Sequence, residues 1–398
     1  MKILVVCQYY YPEPFRISDI CEELVKRGND VTVVTGTPNY PMGIIYEGYE
    51  DGAHSDEVIN GVKVHRCPIH PRKNGAIHRL WNYYSYSLAS SRYIKTLDDS
   101  FDVVFINQLS PVMMANAGIE YAKKHQKKSV LYCLDLWPAS LGAGGVNGGI
   151  IYKWFYRESK KVYKAVDKIL ISSRAFATYF KEEFGIEETE YLPQYAEESF
   201  TPEECKKESN EYVDLMFAGN IGSAQSVDTI IKAAALCKDI PNLHWHIVGD
   251  GKELDSCKKL SEELEAPVTF YGRKPIDEMP KYYAMADAML VTMKKDPIIS
   301  MTVPGKVQSY MAAGKPIIGA IDGETKAVVT NAKCGVCVDA QDSILLANSV
   351  KTNYKVAFSL WGKNGYDYYR NCFSKDAFII KILEIFNSLH VNQTPPNV

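Results

Sequence analysis

Val213-Asp214-Leu215-Met216-Phe217-Ala218-Gly219-Asn220-Ile221-Gly222-Ser223-Ala224-Gln225 passes from a β-rich apolar run through a glycine-bearing loop into the helix-like segment 228–237. A buried strand that leads through a short loop into an amphipathic helix is the building unit of a parallel sheet with helical crossovers. The unit recurs downstream, with strand-like runs at 244–248, 268–271, 288–292, 316–320 and 336–338. It also recurs upstream, at 3–8, 31–35, 62–66, 103–107, 129–134 and 168–172. The clearest helix is 17–27, where Ile17, Ile20, Cys21, Leu24 and Val25 share one face and Gly28 stops the run.

Between the two series, residues 197–211 are rich in Glu and Lys, include Pro202 and read as a linker. A chain of 398 residues exceeds one ordinary core. The expected fold is therefore α/β, with two Rossmann-like domains whose parallel sheets face each other across a cleft that closes on its ligand. The predicted division is 1–200, a linker at 201–211, 212–360, and C-terminal helices at 361–398. Those helices are expected to pack partly on the first domain through Trp361, Tyr366, Tyr369 and Phe373.

A hydrophobic fraction of 46% and a net charge of −3 exclude a bulk nucleic-acid binder, which needs a basic field. The apolar run after Lys2 is too short for a signal-peptide core, and no stretch reaches the roughly eighteen apolar residues of a membrane span. A cytoplasmic protein with reduced cysteines is expected. Cys334-Gly335-Val336-Cys337 has metal or redox spacing but no second pair, so structural thiols are the reading preferred. G-x-G-x-x-G is absent after the first strand, which disfavours nicotinamide or flavin, and no D-x-D pair marks a divalent cation. Neither a cofactor nor a metal is expected.

In open parallel sheets ligands sit beyond the carboxyl ends of the strands. The 219–225 loop there either presents amides to a phosphate or is a plain tight turn. Gly249-Asp250-Gly251 reads as a turn and cap. The densest constellation is 296–314: Pro304 suits a first helical turn, the amides of 302–306 gather at the positive helix end, and Lys306 adds a full charge. Lys306 with Ser309 or Tyr310 then shares a face. The alternative is an ordinary solvated lysine at a helix start.

The stretch PGKVQSYMAAGKP at 304–316 resembles a motif of the retaining GT-B glycosyltransferases of sequence family four. It is most similar to the bacterial surface-polysaccharide subgroup that transfers acetylated fucosamine in O-antigen synthesis. Further matches are QYYYPE at 8–13, ELVKRGNDVTVVTGTPNYP at 23–41, YEGY at 46–49, DLWPASL at 135–141 and GNIGSAQSVDTII at 219–231. They cover almost the whole chain.

The resemblance implies a nucleotide-sugar donor, a UDP-sugar, held by the second domain, and a saccharide or lipid-linked saccharide acceptor on the first. Its donor-side residues are Gly219, Asn220, Gly222, Gln225, Arg273 near the nucleobase, Thr302, Gly305, Lys306, Ser309 and Glu324. Arg16 and Asn39 fall on the acceptor side, and Asp135 and Lys306 are the catalytic candidates. Asp135 is either a polar anchor or a helix cap. The chain departs from the pattern: Met301 and Ser309 stand where the family has glutamates, Asn220 and Gln225 where it has Arg and Lys, and Leu134 where many relatives have His. Phosphate charge is then left to Lys306, backbone amides and Arg16 or Arg273. These losses keep open a sugar-nucleotide epimerase of the same fold and a non-catalytic sugar-nucleotide binding subunit.

Two basic-aromatic segments suit a lipid headgroup surface on the inner face of the membrane. One holds His70, Arg72, Lys73, Arg79, Trp81, Tyr83, Tyr84, Tyr86 and Leu88; the other holds Lys153, Trp154, Arg157, Lys160 and Lys161. Core aromatics beside a solvated basic face are the alternative.

Overall fold

Ile3, Leu4, Val5 and Val6 are wholly inaccessible to solvent, and so are Val103, Val104, Phe105 and Ile106. Strands buried on both faces read as continuous apolar runs, which is why the central strands of this chain stand out. The computed structural model describes residues 1–71, 76–143, 148–354 and 358–391. It divides into two units, one of Met1–Ser172, Phe176–Leu192 and Ile379 onward, the other of Ser173–Ala175 and Pro193–Phe378.

The first unit is built on β1 (Lys2–Val6), β2 (Asp30–Gly36), β3 (Asp56–Ile59), β4 (Val62–Cys67), β5 (Val103–Gln108), β6 (Lys128–Cys133), β7 (Lys168–Ile171) and β8 (Glu190–Tyr191). Among the described residues they form one sheet in the order β3-β4-β2-β1-β5-β6-β7-β8, parallel except where β3 meets β4. The edge strands β3 and β8 escape the sequence reading because they are short and only half-buried. The order reverses at β1, which pairs with both β2 and β5, so the loops after these strands open a crevice.

The second unit holds β9 (Val213–Ala218), β10 (Leu243–Val248), β11 (Val268–Gly272), β12 (Ala288–Thr292), β13 (Ile317–Ala320) and β14 (Gly335–Val338). They form a parallel sheet in the order β11-β10-β9-β12-β13-β14, which reverses between β9 and β12.

Two readings of chain organisation change. Residues 197–211 are packed into the second unit: Phe200 stacks on Tyr283 at 4.7 Å, Cys205 is buried, and Lys207 Nζ lies 2.5 Å from both Asp214 and Asp287. Lys207, one of the charges that suggested a free linker, has its partners at the sheet's amino end. The four tail aromatics also belong to the second unit. The Tyr369 hydroxyl accepts from the Ala196 amide at 3.3 Å, and Phe373 is buried there. The return to the first unit is made further on, by Ile379, Ile382 and Phe386 of the Lys375–Val391 helix, with Phe386 5.5 Å from Phe105.

Candidate functional site

Two glycines shape the carboxyl end of the second sheet. Gly219 follows β9 at φ +143 and Gly249 follows β10 at φ +144. A methyl group on Gly249 would lie 1.8 Å from the Gly219 carbonyl oxygen, so the two loops touch backbone to backbone. The Gly219 amide donates to Val248 at 2.9 Å and the Ile221 amide to Asp250 at 2.8 Å. Beyond them Asn220 Nδ2 donates to Gln225 Oε1 at 3.2 Å across Gly222. The two neutral side chains thus hold each other. The loop after β12 is tied to the same place, Thr292 Oγ1 donating to the Gln225 carbonyl at 2.7 Å.

The Gly305–Ala312 helix brings Lys306 onto this loop. Lys306 Nζ lies 3.7 Å from the centre of the Phe217 ring, and a methyl group on Gly219 would stand 2.6 Å from it. The residue is partly exposed, but Nζ itself is buried and has no hydrogen-bond partner among the described residues. Burial pushes its pKa down from 10.5 to about 7. An uncompensated buried cation costs stability, and groups held in that condition cluster at functional sites. Tyr310 anchors the helix from below. Its hydroxyl accepts from the Ala218 amide and donates to the Ala218 carbonyl, each at 3.1 Å.

The remaining donor-side candidates fall into different environments. The Thr302 amide donates to Ile299 at 3.0 Å and Pro304, which precedes the first helical residue, has no N–H. The free amides at this helix end are therefore fewer than the sequence suggested. Gln308 is buried, its amide nitrogen assigned toward the Pro304 and Gly305 carbonyls at 3.0 and 3.2 Å. The Ser309 hydroxyl donates to Gly305 at 3.3 Å. Glu324 opens the Gly323–Ala332 helix, which is docked on the 297–302 turn by the Thr325 hydroxyl at 3.0 Å from the Thr302 carbonyl. Arg273 is exposed just after β11. Sequence reading missed Ser173 and Arg174, a short excursion of the chain into this unit. The Ser173 hydroxyl donates to the Met301 carbonyl, and Arg174 and Glu324 both lie close enough to Tyr368 to act on its charge. Their only sequence signal is their place directly after a strand.

In the first unit the loops after β1 and β2 are joined by Glu13. Its buried carboxylate accepts from the amides of Tyr10 at 3.3 Å, Asn39 at 2.9 Å and Tyr40 at 2.7 Å. Asn39 is buried and its Nδ2 donates to Thr37 at 2.9 Å. Arg16 stands immediately before the Ile17–Lys26 helix. Asp135 follows β6; its Oδ2 accepts from the Ser140 hydroxyl at 3.1 Å, and burial pushes its carboxyl up to about 6.

The basic-aromatic cluster divides by depth. Tyr83 and Tyr86 are core residues, whereas Trp81 is 61% exposed and Leu88 54%. Tyr84 reaches Trp154 with ring centres 5.7 Å apart, linking the Ala76–Ile94 helix to Gly149–Tyr163. Ile150 and Ile151 are exposed beside Lys153, Arg157, Lys160 and Lys161. Arg72, Lys73 and the Arg79 side chain lie outside the described residues. No described helix is long and apolar enough to cross a membrane.

Two Rossmann-like units, each with its loop cluster at the point where strand order reverses, define the GT-B architecture. Solved structures with this fold include sucrose-phosphate synthase of Thermosynechococcus elongatus, at TM-score 0.77 and 15% identity over 98% of this chain and all of that one. Anabaena HepE in complex with UDP and glucose matches at TM-score 0.71 and 17% identity, over 98% of this chain and all of that one. Residues 16–193 match the family described as Glycosyltransferase Family 4, and residues 201–355 the one described as Glycosyl transferases group 1. A Pseudomonas aeruginosa protein named as the glycosyltransferase WbjE is 26% identical over 56% of this chain, and the match spans 59% of that relative's length. A protein of Escherichia coli strain K12, named as the colanic acid biosynthesis glycosyl transferase WcaI, is 25% identical over 79% of this chain and 82% of its own. The chain belongs to the group 1 and family 4 glycosyltransferases.

Proposed function

We propose that this chain transfers a sugar from a UDP-sugar to a saccharide or lipid-linked saccharide acceptor in surface-polysaccharide synthesis, with retention at the anomeric carbon. The observation that carries the reading is the buried, unpartnered Lys306 ammonium lying on the Gly219 backbone at the carboxyl end of the sheet. A diphosphate over the 219–222 loop supplies the missing counter-charge, and the Gly305–Ala312 helix end adds its partial positive charge. UDP in the HepE crystals supports the nucleotide, and the name of WcaI supports the polysaccharide.

In the proposed step the bond from the anomeric carbon to the diphosphate oxygen breaks. The acceptor hydroxyl oxygen bonds to that carbon on the same face, and its proton passes to the departing phosphate oxygen. The protein's part is then positioning and charge stabilisation. This suits a chain with Met301 and Ser309 in place of carboxylates. Asp135, Arg16 and Asn39 are assigned to the acceptor, Arg273 to the nucleobase and Glu324 to the donor sugar.

A panel of nucleotide-sugars incubated with the full chain tests the reading. Release of free nucleotide diphosphate, with an acceptor glycosylated in the donor's anomeric configuration, is the expected result. An isomerised donor, or binding without turnover, would refute it. The exposed Trp81, Leu88, Ile150, Ile151 and Trp154, with the neighbouring Lys and Arg residues, are proposed to seat the first unit on the anionic cytoplasmic leaflet where lipid-linked acceptors reside. Co-sedimentation with phosphatidylglycerol vesicles at low salt should occur and weaken in the Trp81→Ala, Trp154→Ala double variant. No sedimentation of the unaltered protein eliminates the membrane role.

A further inference from the structure

At the amino end of the second sheet, about 15 Å along β9 from the Gly219 loop, three metal-ligating side chains converge. His244 and His246 are two apart in β10, so strand alternation puts both on one face. Asp214 is the register partner of His244 on β9. Asp214 Oδ1 lies 2.8 Å from His246 Nε2 and 3.4 Å from His244 Nδ1, and the three ligand atoms fall within 4.8 Å of one another.

The surroundings orient these atoms. Tyr271 Oη engages His246 Nδ1 at 3.0 Å, which turns Nε2 inward, the outer partner that metal-bound imidazoles commonly have. Tyr212 stacks on the His244 ring at 4.5 Å. Lys207 Nζ occupies Asp214 Oδ2 and Asp287 Oδ2 at 2.5 Å each, leaving Oδ1 to the histidines. Two carboxylates against one ammonium leave the cluster with a net negative charge. The 3.4 Å gap to His244 is long for a hydrogen bond. It is close to the separation of about 3.3 Å between two ligands in a tetrahedron with bonds near 2.0 Å. His246 would open from Asp214 by about half an ångström, and the two imidazole nitrogens, which lie within 4.8 Å of each other, would settle at the same separation on binding.

We propose that Asp214, His244 and His246 bind a divalent ion of the zinc class, with a fourth position open on the solvent side, where the His244 side chain is 42% exposed. The ion joins β9 to β10 and takes no part in sugar transfer, whose candidate residues stand at the opposite end of the strands.

Cobalt(II) titration of the untagged full chain tests this, followed by displacement with zinc. The expected result is a saturable visible spectrum of tetrahedral intensity, at least about tenfold weaker binding in His244→Ala, and an unfolding midpoint that zinc raises only in the unaltered protein. His244 is partly exposed, and an unchanged metal-free midpoint shows that the variant is folded. A second variant, His244→Gln, gives the same readout should the alanine form misfold. Absence of a saturable spectrum overturns the proposal, as does one that both variants retain, which places the metal elsewhere, for example at the His70 and His78 pair 3.1 Å apart.

Discussion

Replacing Lys306 by methionine keeps an unbranched side chain, one heavy atom shorter, and removes the ammonium group, and the two consequences have opposite signs. The fall in pKa from 10.5 to about 7 corresponds to an unfavourable charging of about 4–5 kcal/mol. Attraction to the Phe217 ring returns up to about 2 kcal/mol. The Lys306→Met protein without donor should therefore be more stable than the unaltered one by about 2–5 kcal/mol near pH 7. The sign with pH follows from linkage. A lysine with a depressed folded pKa lowers stability fully below about 7, and the penalty fades as pH rises toward 10.5, where the unfolded chain also loses the proton. Denaturant unfolding at pH 7 and pH 10 should accordingly show an advantage for the variant that shrinks with pH. The same variant should lose about 2–4 kcal/mol of transition-state stabilisation, or roughly 30- to 1000-fold in kcat/KM. A solvated surface lysine predicts neither effect. Equal stability at both pH values together with normal turnover refutes the assignment of Lys306 to the diphosphate.

Other consequences follow from the same geometry. Binding of UDP at pH 8 should take up about one proton per site, because the diphosphate restores charge to a lysine that is mostly neutral there; calorimetry in buffers of different ionisation enthalpy measures it, and uptake that persists in Lys306→Met speaks against this source. Gly249→Ala should destabilise the second unit by more than about 3 kcal/mol, since the new methyl meets the Gly219 carbonyl at 1.8 Å; a soluble variant with an unchanged unfolding midpoint contradicts the loop contact. Gly305 has open space around its Cα. Gly305→Ala should hold or raise stability by up to about 1 kcal/mol yet raise the donor KM, as the methyl enters the space assigned to phosphate; an unchanged KM shows that the donor stays clear of this helix end.

The alternation of apolar runs with amphipathic segments was sufficient to specify two parallel α/β sheets, because strands buried on both faces must be continuously apolar wherever they pair. Val213–Ala218 and the loop it feeds are legible from residue types alone. Local pattern does not say what a charge or an aromatic ring faces. Residues 197–211 look like a solvated linker until Lys207 meets Asp214 on the next strand and Asp287 from a distant part of the chain. Tyr83 and Tyr86 separate from Trp81 only when the helix is laid on its sheet. Lys306 is an ordinary lysine in sequence, and the Phe217 ring and Gly219 backbone that desolvate it lie far from it along the chain. Ser173 and Arg174 join the second unit through an excursion of three residues that leaves no periodic trace. Periodicity records which face of an element is buried; the partners that set a group's charge, and with it the chemistry of the site, are settled only when remote segments fold together.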